Sequence, residues 1–146
     1  MSSLIFSVKL HLPVIAMLGL LLTSCATRPI SNAEAIHVPS EQILSRLLLE
    51  QKPKTGQVVI KRDSGIFGSA CSSRVFVDGN PVADIGAAEK IVLYIPEGEH
   101  IFSAWPNGIC GGGMSEVKAM VRAGSQSNFR IGYGSNGDFT INPTAI

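Results

Sequence analysis

Apolar and polar residues alternate along most of the chain after residue 56, and this alternation predicts a series of short β-strands. Residues 90–95 place Ile91, Leu93 and Ile95 on one face, as expected for a strand with one buried side. The same pattern, or a short β-branched run, predicts further strands at 57–62, 74–77, 82–85, 100–105, 115–121, 128–133 and 139–141.

Turn-forming residues separate these strands. Asp78-Gly79 and Asn136-Gly137 are pairs that tolerate the positive φ of tight hairpins. Pro96-Glu97-Gly98 and Arg122-Ala123-Gly124 suit longer turns, because each ends in a glycine that can adopt the left-handed conformation. Short strands with turns about every 8 to 12 residues are typical of a sandwich. We therefore predict an all-β domain over residues 56–146, a single antiparallel β-sandwich of about seven or eight short strands.

The segment 25–55 is predicted to be a tether that contains one short helix over residues 40–51. Ser40 suits the N-cap of that helix and Pro53 lies just beyond its end. The apolar residues with the spacing of one helical face are Ile43, Leu44, Leu47 and Leu48. We expect this face to pack against the sheet, with docking to a partner or to a membrane as the alternative.

At the start of the chain, an apolar run over residues 12–22 follows a short polar stretch that carries Lys9. A helix rises about 1.5 Å per residue and the hydrocarbon core of a bilayer is about 30 Å thick, so this run is too short to span comfortably. The arrangement predicts a cleaved signal peptide over residues 1–24 rather than a retained membrane anchor.

The signal ends in Leu22-Thr23-Ser24-Cys25, which resembles the lipobox of bacterial lipoproteins. The resemblance implies cleavage before Cys25, with Leu22 as the apolar residue and Thr23 and Ser24 as the small ones. Cys25 would then carry a diacylglycerol and an N-acyl chain such as palmitate, and two or more chains hold a protein stably on a bilayer. Ala26, in place of an aspartate, implies the outer membrane facing the periplasm, with the inner membrane as the alternative.

Composition bounds the remaining chain to one domain. Removal of 24 residues from 146 leaves 122, and loss of Lys9 from 12 basic and 11 acidic side chains leaves 11 of each. This balance argues against nucleic acid, because phosphate binding needs a basic excess. The expected partners are membrane lipid, through acylated Cys25, and an envelope protein or a glycan.

Two cysteines remain once Cys25 is lipidated. Cys71 and Cys110 form an even pair in the oxidising periplasm that the lipobox implies, which favours a disulfide. A reactive thiol pair and half of a metal site are the alternatives. Because the chain has no CxxC pattern and no partnered histidine, we expect neither a metal nor another cofactor.

Residues 75–82, Val-Phe-Val-Asp-Gly-Asn-Pro-Val, and residues 93–100, Leu-Tyr-Ile-Pro-Glu-Gly-Glu-His, resemble the PEGA-type β-sandwich repeat. In that repeat a V-x-V-D-G-x-x-V hairpin precedes a P-x-G-x-H turn. With the lipobox, the segments 69–71 and 107–113 and the terminal Asn142-Pro143-Thr144, the chain also resembles a family of small, uncharacterised bacterial lipoproteins. The resemblance implies a β-sandwich and no particular activity.

Enzyme motifs are missing from the sequence: it has no GxSxG, HExxH or GxxxxGK[ST] pattern. A periplasmic hydrolase would have to use His100 with Glu97 or Glu99, on a strand beside a turn. Asp63 and Asp84 are a second candidate pair, for the hydrolysis of a glycosidic bond. We therefore predict a protein that is not an enzyme.

The candidate binding loop combines Trp105 and Asn107 with the run Gly111, Gly112 and Gly113. An exposed tryptophan beside a polar loop offers a stacking surface to a sugar or peptide. In the alternative, Trp105 plugs the end of the sandwich beside the disulfide. The expected function is a lipid-anchored cell-envelope protein, a non-catalytic binding or structural module; the alternatives are an accessory lipoprotein that docks a secretion-system or other envelope partner, and the hydrolase.

Overall fold

The computed structural model describes residues 27–66, 68–134 and 138–145 of the chain. The predicted signal peptide, its Leu22-Thr23-Ser24 motif and Cys25 lie outside the described residues. The described residues form nine strands: β1 (Ile36–His37), β2 (Thr55–Arg62), β3 (Ser73–Val77), β4 (Asn80–Ile85), β5 (Glu89–Pro96), β6 (Gly98–Pro106), β7 (Ser115–Val121), β8 (Gln126–Tyr133) and β9 (Phe139–Pro143). Within the described ranges, no helix is long and apolar enough to cross a membrane.

The strands form two sheets that enclose one core, which confirms the predicted all-β sandwich. One sheet has five strands in the order β1-β5-β2-β8-β9, and the other has four in the order β4-β3-β6-β7. The inward positions of both sheets supply the core, and the rings of Phe102 on β6 and Phe129 on β8 meet in it with centroids 4.7 Å apart. The eight strands predicted from alternation correspond to β2 through β9, and only the two-residue β1 is additional.

The sandwich is not antiparallel throughout. β2 and β8 run parallel, with Gln57 opposite Gln126, and the short β1 runs parallel to β5. Alternation predicts which face of a strand is buried but carries no information about strand direction. Five strands, β3 to β7, lie between β2 and β8 in the chain, so no hairpin turn sets their relative direction.

The prediction of a helix over residues 40–51 is wrong. Only Ser40–Gln42 form a single 3-10 turn, after which the backbone runs beside β4. The amide N–H groups of Leu44 and Ser45 both donate to the carbonyl oxygen of Val82, at 3.0 and 3.2 Å. Leu44 is consequently exposed instead of lying on a buried helical face.

The same segment also covers the edge of the other sheet. After β1 pairs with β5, the amide of Val38 donates to Lys90 O at 2.9 Å, and further along the amide of Tyr94 donates to Leu48 O at 2.7 Å. An isolated helix of about 12 residues is marginal in water, whereas an open strand edge offers unpaired backbone groups. Residues 36–49, which we call the edge segment, therefore supply backbone hydrogen-bond partners to the outer edges of both β5 and β4.

The prediction that residues 25–55 form a tether is also wrong from Arg28 onward. Arg28 and Ser64 form an antiparallel bridge, and Ile30 is only 2% exposed. Asn32 accepts from Lys61 Nζ on β2 at 2.9 Å and donates to Asn128 Oδ1 on β8 at 2.9 Å. The segment between Arg28 and the edge segment is thus part of the folded domain.

Candidate functional site

A disulfide between Cys71 and Cys110 joins two loops at one end of the sandwich, as predicted. Its Cα atoms are 6.0 Å apart, and it connects the loop between β2 and β3 to the loop between β6 and β7. The amide of Asn107 also donates to Ser72 O across these loops at 2.8 Å. We call this end of the molecule, with loops 63–72, 86–88 and 107–114, the disulfide end.

Arg62, at the last position of β2, holds the first of these loops in place. The side chain is 1% exposed, and its guanidinium donates to the carbonyl oxygens of Gly68, Cys71 and Ile85. Two carbonyl acceptors from loop 63–72 and one from the end of β4 thereby converge on one buried cation. Sequence analysis missed this role, because an arginine that ends a strand usually lies in solvent.

The candidate binding site lies on the outward face of the four-stranded sheet. Asp84 on β4, Arg74 on β3 and Trp105 on β6 occupy directly opposed positions and form one row across three strands. Arg74 Nε donates to Asp84 Oδ1 and Arg74 Nη2 donates to Asp84 Oδ2, each at 2.9 Å. This bonding to Asp84 raises the pKa of Arg74. Trp105 is half-exposed at the end of the row, while Ala104 beside it points into the core.

Beside this row is a groove of about 410 Å³, which combines aromatic, apolar and hydrogen-bonding groups. Its lining residues are Arg74, Phe76, Pro81, Trp105, Pro106, Asn107, Gly108 and Cys110. The disulfide contributes directly to its shape, since Cys110 is one wall. A flat aromatic surface next to a fixed guanidinium is suited to a ligand that has both a stacking face and polar substituents.

The predicted binding loop is only partly brought together. Trp105 and Asn107 line the groove, whereas Gly111, Gly112 and Gly113 are not among its lining residues. Gly112 has a φ of 141°, and a Cβ there would lie 3.0 Å from Pro106 Cγ. This glycine therefore lets the backbone pass close to Pro106, beside the groove. Sequence analysis missed Arg74 and Phe76, which reach the groove only because β3 pairs with β6.

His100, the candidate catalytic base, pairs with neither of the glutamates considered. Its Nδ1 is 2.7 Å from Asp78 Oδ2 and its Nε2 is 2.9 Å from the carbonyl oxygen of Pro96. Glu99 instead forms a surface ion pair with Lys118 at 3.1 Å. Both ring nitrogens of His100 face acceptors, so this side chain joins two turns at the end opposite the disulfide.

Asp78 is the other half of that contact. Partial burial of its carboxylate raises the pKa, but the hydrogen bonds from His100 and from the Ile101 amide, with the charge of His100, outweigh it. The pKa of Asp78 therefore lies below its ordinary value. The contact between His100 and Asp78 is structural, because the hydrogen-bonding atoms of both side chains are occupied by the protein itself.

The other two candidate carboxylates, Asp63 and Asp84, are held in ion pairs. Asp63 is buried and accepts from an Arg130 guanidinium nitrogen at 2.5 Å, and Asp84 is bound to Arg74. Lys61 is buried as well, and this burial lowers its pKa although the nearby Asp63 acts in the opposite direction. Among the described residues, no group of three or more His, Cys, Asp or Glu side chains is placed to hold a metal ion.

No protein-family model, no curated protein and no solved structure matches this chain. The fold and the groove define a small all-β sandwich with a surface groove that is partly lined by a disulfide cysteine.

Proposed function

We propose that the protein is a lipid-anchored module of the bacterial cell envelope and that it binds a glycan without catalysing a reaction. The anchor is Cys25 in its lipobox-like context, and the expected location is the outer membrane facing the periplasm, with the inner membrane as the alternative. The Cys71–Cys110 bond supports export, because disulfides persist in oxidising compartments.

The observation that carries the binding proposal is the half-exposed indole of Trp105 in one row with the Arg74–Asp84 pair. A pyranose ring presents a C–H face, which packs on an aromatic ring, and hydroxyl groups at its rim, which hydrogen-bond to charged side chains. The bidentate bond to Asp84 fixes the orientation of Arg74 before a ligand arrives. Such preorganisation lowers the entropy cost of binding.

A docked envelope protein is the second candidate occupant of the groove. It is favoured by the apolar part of the lining, which consists of Phe76, Pro81 and Pro106. In this candidate the protein is an accessory lipoprotein that docks a secretion-system or other envelope partner. A hydrolase is disfavoured by the contacts of His100, whose two ring nitrogens are both engaged within the protein.

The anchor is tested with Cys25→Ser in the full chain expressed in a bacterial host. We expect this variant to lose labelling by an acyl-chain precursor and to accumulate as the larger precursor. Membrane attachment and labelling equal to those of the wild type would overturn the anchor. The Cys110→Ser variant is the matched control, because it removes a cysteine outside the lipobox.

The glycan site is tested by fluorescence, since Trp105 is the only tryptophan in the chain. Titration with soluble peptidoglycan fragments should shift its emission in a saturable manner, and Arg74→Ala should weaken the apparent affinity at least about tenfold. Met120→Ala, an exposed residue of β7 outside the groove, is the matched control and should bind like the wild type.

Two results would decide against a glycan. One is an emission spectrum that does not change with any fragment. The other is a protein crosslinked in intact envelopes by the wild type and lost with Trp105→Ala, which would establish protein docking instead.

A further inference from the structure

We propose that the disulfide end of the domain lies against the lipid bilayer, with Ile66 and Ile109 inserted among the lipid headgroups. This inference rests on the proposed lipidation of Cys25. It adds an orientation to the anchor: one defined face of the sandwich contacts the membrane, and the opposite end points away from it.

The first step in the argument is the position at which the chain enters the fold. Thr27 Oγ1 donates to the carbonyl oxygen of Tyr133, at the last residue of β8, at 2.6 Å. Arg28 then pairs with Ser64 through two backbone hydrogen bonds, of 2.6 and 3.0 Å. Both partners lie at the disulfide end, where β2 and β8 finish side by side.

The second step is the length of chain between the lipid and this point. Cys25 precedes Thr27 by two residues, and an extended chain spans at most about 3.6 Å per residue, so the two Cα atoms are within about 7 Å of each other. A domain held this closely cannot rotate freely above the bilayer. The surface around Thr27 must therefore lie at the membrane.

The third step is the chemistry of that surface. Ile66 lies two residues after Ser64 and is 77% exposed, and Ile109 is 90% exposed on the loop that Cys110 joins to the same end. Met114, at the base of that loop, is also exposed. Exposure of large apolar side chains at loop tips is unfavourable in water, and their insertion into the interfacial region of a bilayer is favourable.

The fourth step is the distribution of charge between the two ends. Loops 64–72, 86–88 and 107–114 contain no charged residue. Asp63, just before the first of them, is buried in an ion pair with Arg130, and the other charged residues around these loops are Arg28, Glu34, Glu89 and Asp138. The turns that join the strands at the opposite end contain charged residues. They carry Lys52, Lys54, Asp78, Glu97 and Arg122. Uncharged loops with apolar tips fit a lipid surface, and turns that carry charged residues fit water.

The orientation is tested with the lipidated full chain in vesicles of phosphatidylethanolamine and phosphatidylglycerol. In a Trp105→Phe background, a single reporter tryptophan is introduced by Ile66→Trp, by Ile109→Trp or, at the opposite end, by Glu97→Trp. These positions are exposed, so the substitutions spare the core. Quenching by lipids brominated on the acyl chains is then measured for each reporter.

We expect the reporters at 66 and 109 to be quenched at least about threefold more than the reporter at 97. Equal quenching at all three positions, or no quenching in protein that floats with the vesicles, would overturn the orientation and leave the anchor intact. Protein that fails to float would overturn the anchor itself and the orientation with it. Flotation and quenching thus separate the two proposals.

Discussion

The guanidinium carbon of Arg62 lies 4.7 Å from the centre of the Tyr133 ring, at the disulfide end, where β2 and β8 finish. The arginine side chain is buried and donates to three backbone carbonyl groups, while the aromatic ring shields it from solvent. A cation over an aromatic face gains electrostatic stabilisation that increases when water is excluded. This contact organises the loop that contains Cys71.

We expect Arg62→Met to lower the free energy of unfolding by about 3 kcal/mol, because it keeps the apolar stem and leaves buried carbonyl oxygens without a donor. Urea denaturation followed by circular dichroism measures this change. Arg46→Met, at an exposed position, is the control and should stay within about 0.5 kcal/mol of the wild type. Equal effects of the two substitutions would mean that the buried cation contributes nothing specific.

The disulfide should be the largest single covalent contribution to stability. Its two cysteines are 39 residues apart, and closing a loop of this length stabilises a fold by about 4 kcal/mol in the chain-entropy treatment. The double variant Cys71→Ala, Cys110→Ala should lose that amount in chemical denaturation without reductant.

Reductant provides the control for this experiment. It should destabilise the wild type and leave the double variant unchanged. If the wild type and the double variant unfold at the same denaturant concentration under oxidising conditions, the bond is not stabilising. Because Cys110 lines the groove, reduction should also weaken any ligand response of Trp105.

The Asp78–His100 contact predicts a specific acid sensitivity. The pKa of Asp78 is lower in the folded protein than its ordinary value of about 3.9, so its contribution is present above that value and is lost as the pH falls through the folded pKa. Asp78→Asn removes this contribution and tolerates the positive φ of 49° at the position. The stability advantage of the wild type should therefore shrink between about pH 5 and pH 2.

The size of this effect is limited to below about 1 kcal/mol, because the Asp78 side chain is nearly half-exposed and solvent screens the pair. Denaturation midpoints of the two proteins across the pH range measure it. Glu50→Gln, at an exposed carboxylate away from His100, should show no comparable change relative to the wild type. A difference between the wild type and Asp78→Asn that is constant with pH would contradict the assignment.

Gly56 in β2 should tolerate no side chain. A Cβ at this position would lie 2.5 Å from the carbonyl oxygen of Arg122 and 2.7 Å from Val121 Cγ1, so the backbone of the neighbouring turn would have to move. We expect Gly56→Ala to lower the melting temperature and the unfolding free energy, the latter by about 2 to 3 kcal/mol. Gly113→Ala is the matched control, because its Cβ would meet no atom within 4 Å. Similar melting of both variants would rule out the close approach.

Much of the fold was predictable because its signals are local. The alternation in residues such as Ile91, Leu93 and Ile95 sets a buried face wherever the strand is placed, and Asp78-Gly79 encodes a hairpin within four residues. These signals depend only on neighbouring residues, so the boundaries of eight strands follow the predictions closely. The Cys71–Cys110 pair was predictable from the number of cysteines together with the oxidising compartment that the lipobox resemblance implies.

The candidate site was predictable only in part. Trp105 and Asn107 were found because an aromatic residue beside a turn-rich polar loop is recognisable in the sequence. Arg74 and Phe76 lie about 30 residues earlier and carry no local mark of a binding role. They join the groove because β3 pairs with both β4 and β6, which is a property of the assembled sheet.

The sequence by itself thus determined the strands, their buried faces, most turns and the two cysteines that pair. Tertiary structure alone decided that β2 and β8 run parallel, that residues 36–49 cover two sheet edges instead of forming a helix, and that Arg62 is buried. The physical reason is the range of the interactions. Side-chain alternation and turn preference act over a few residues, whereas open strand edges and unpaired carbonyl groups find their partners only once distant segments have packed.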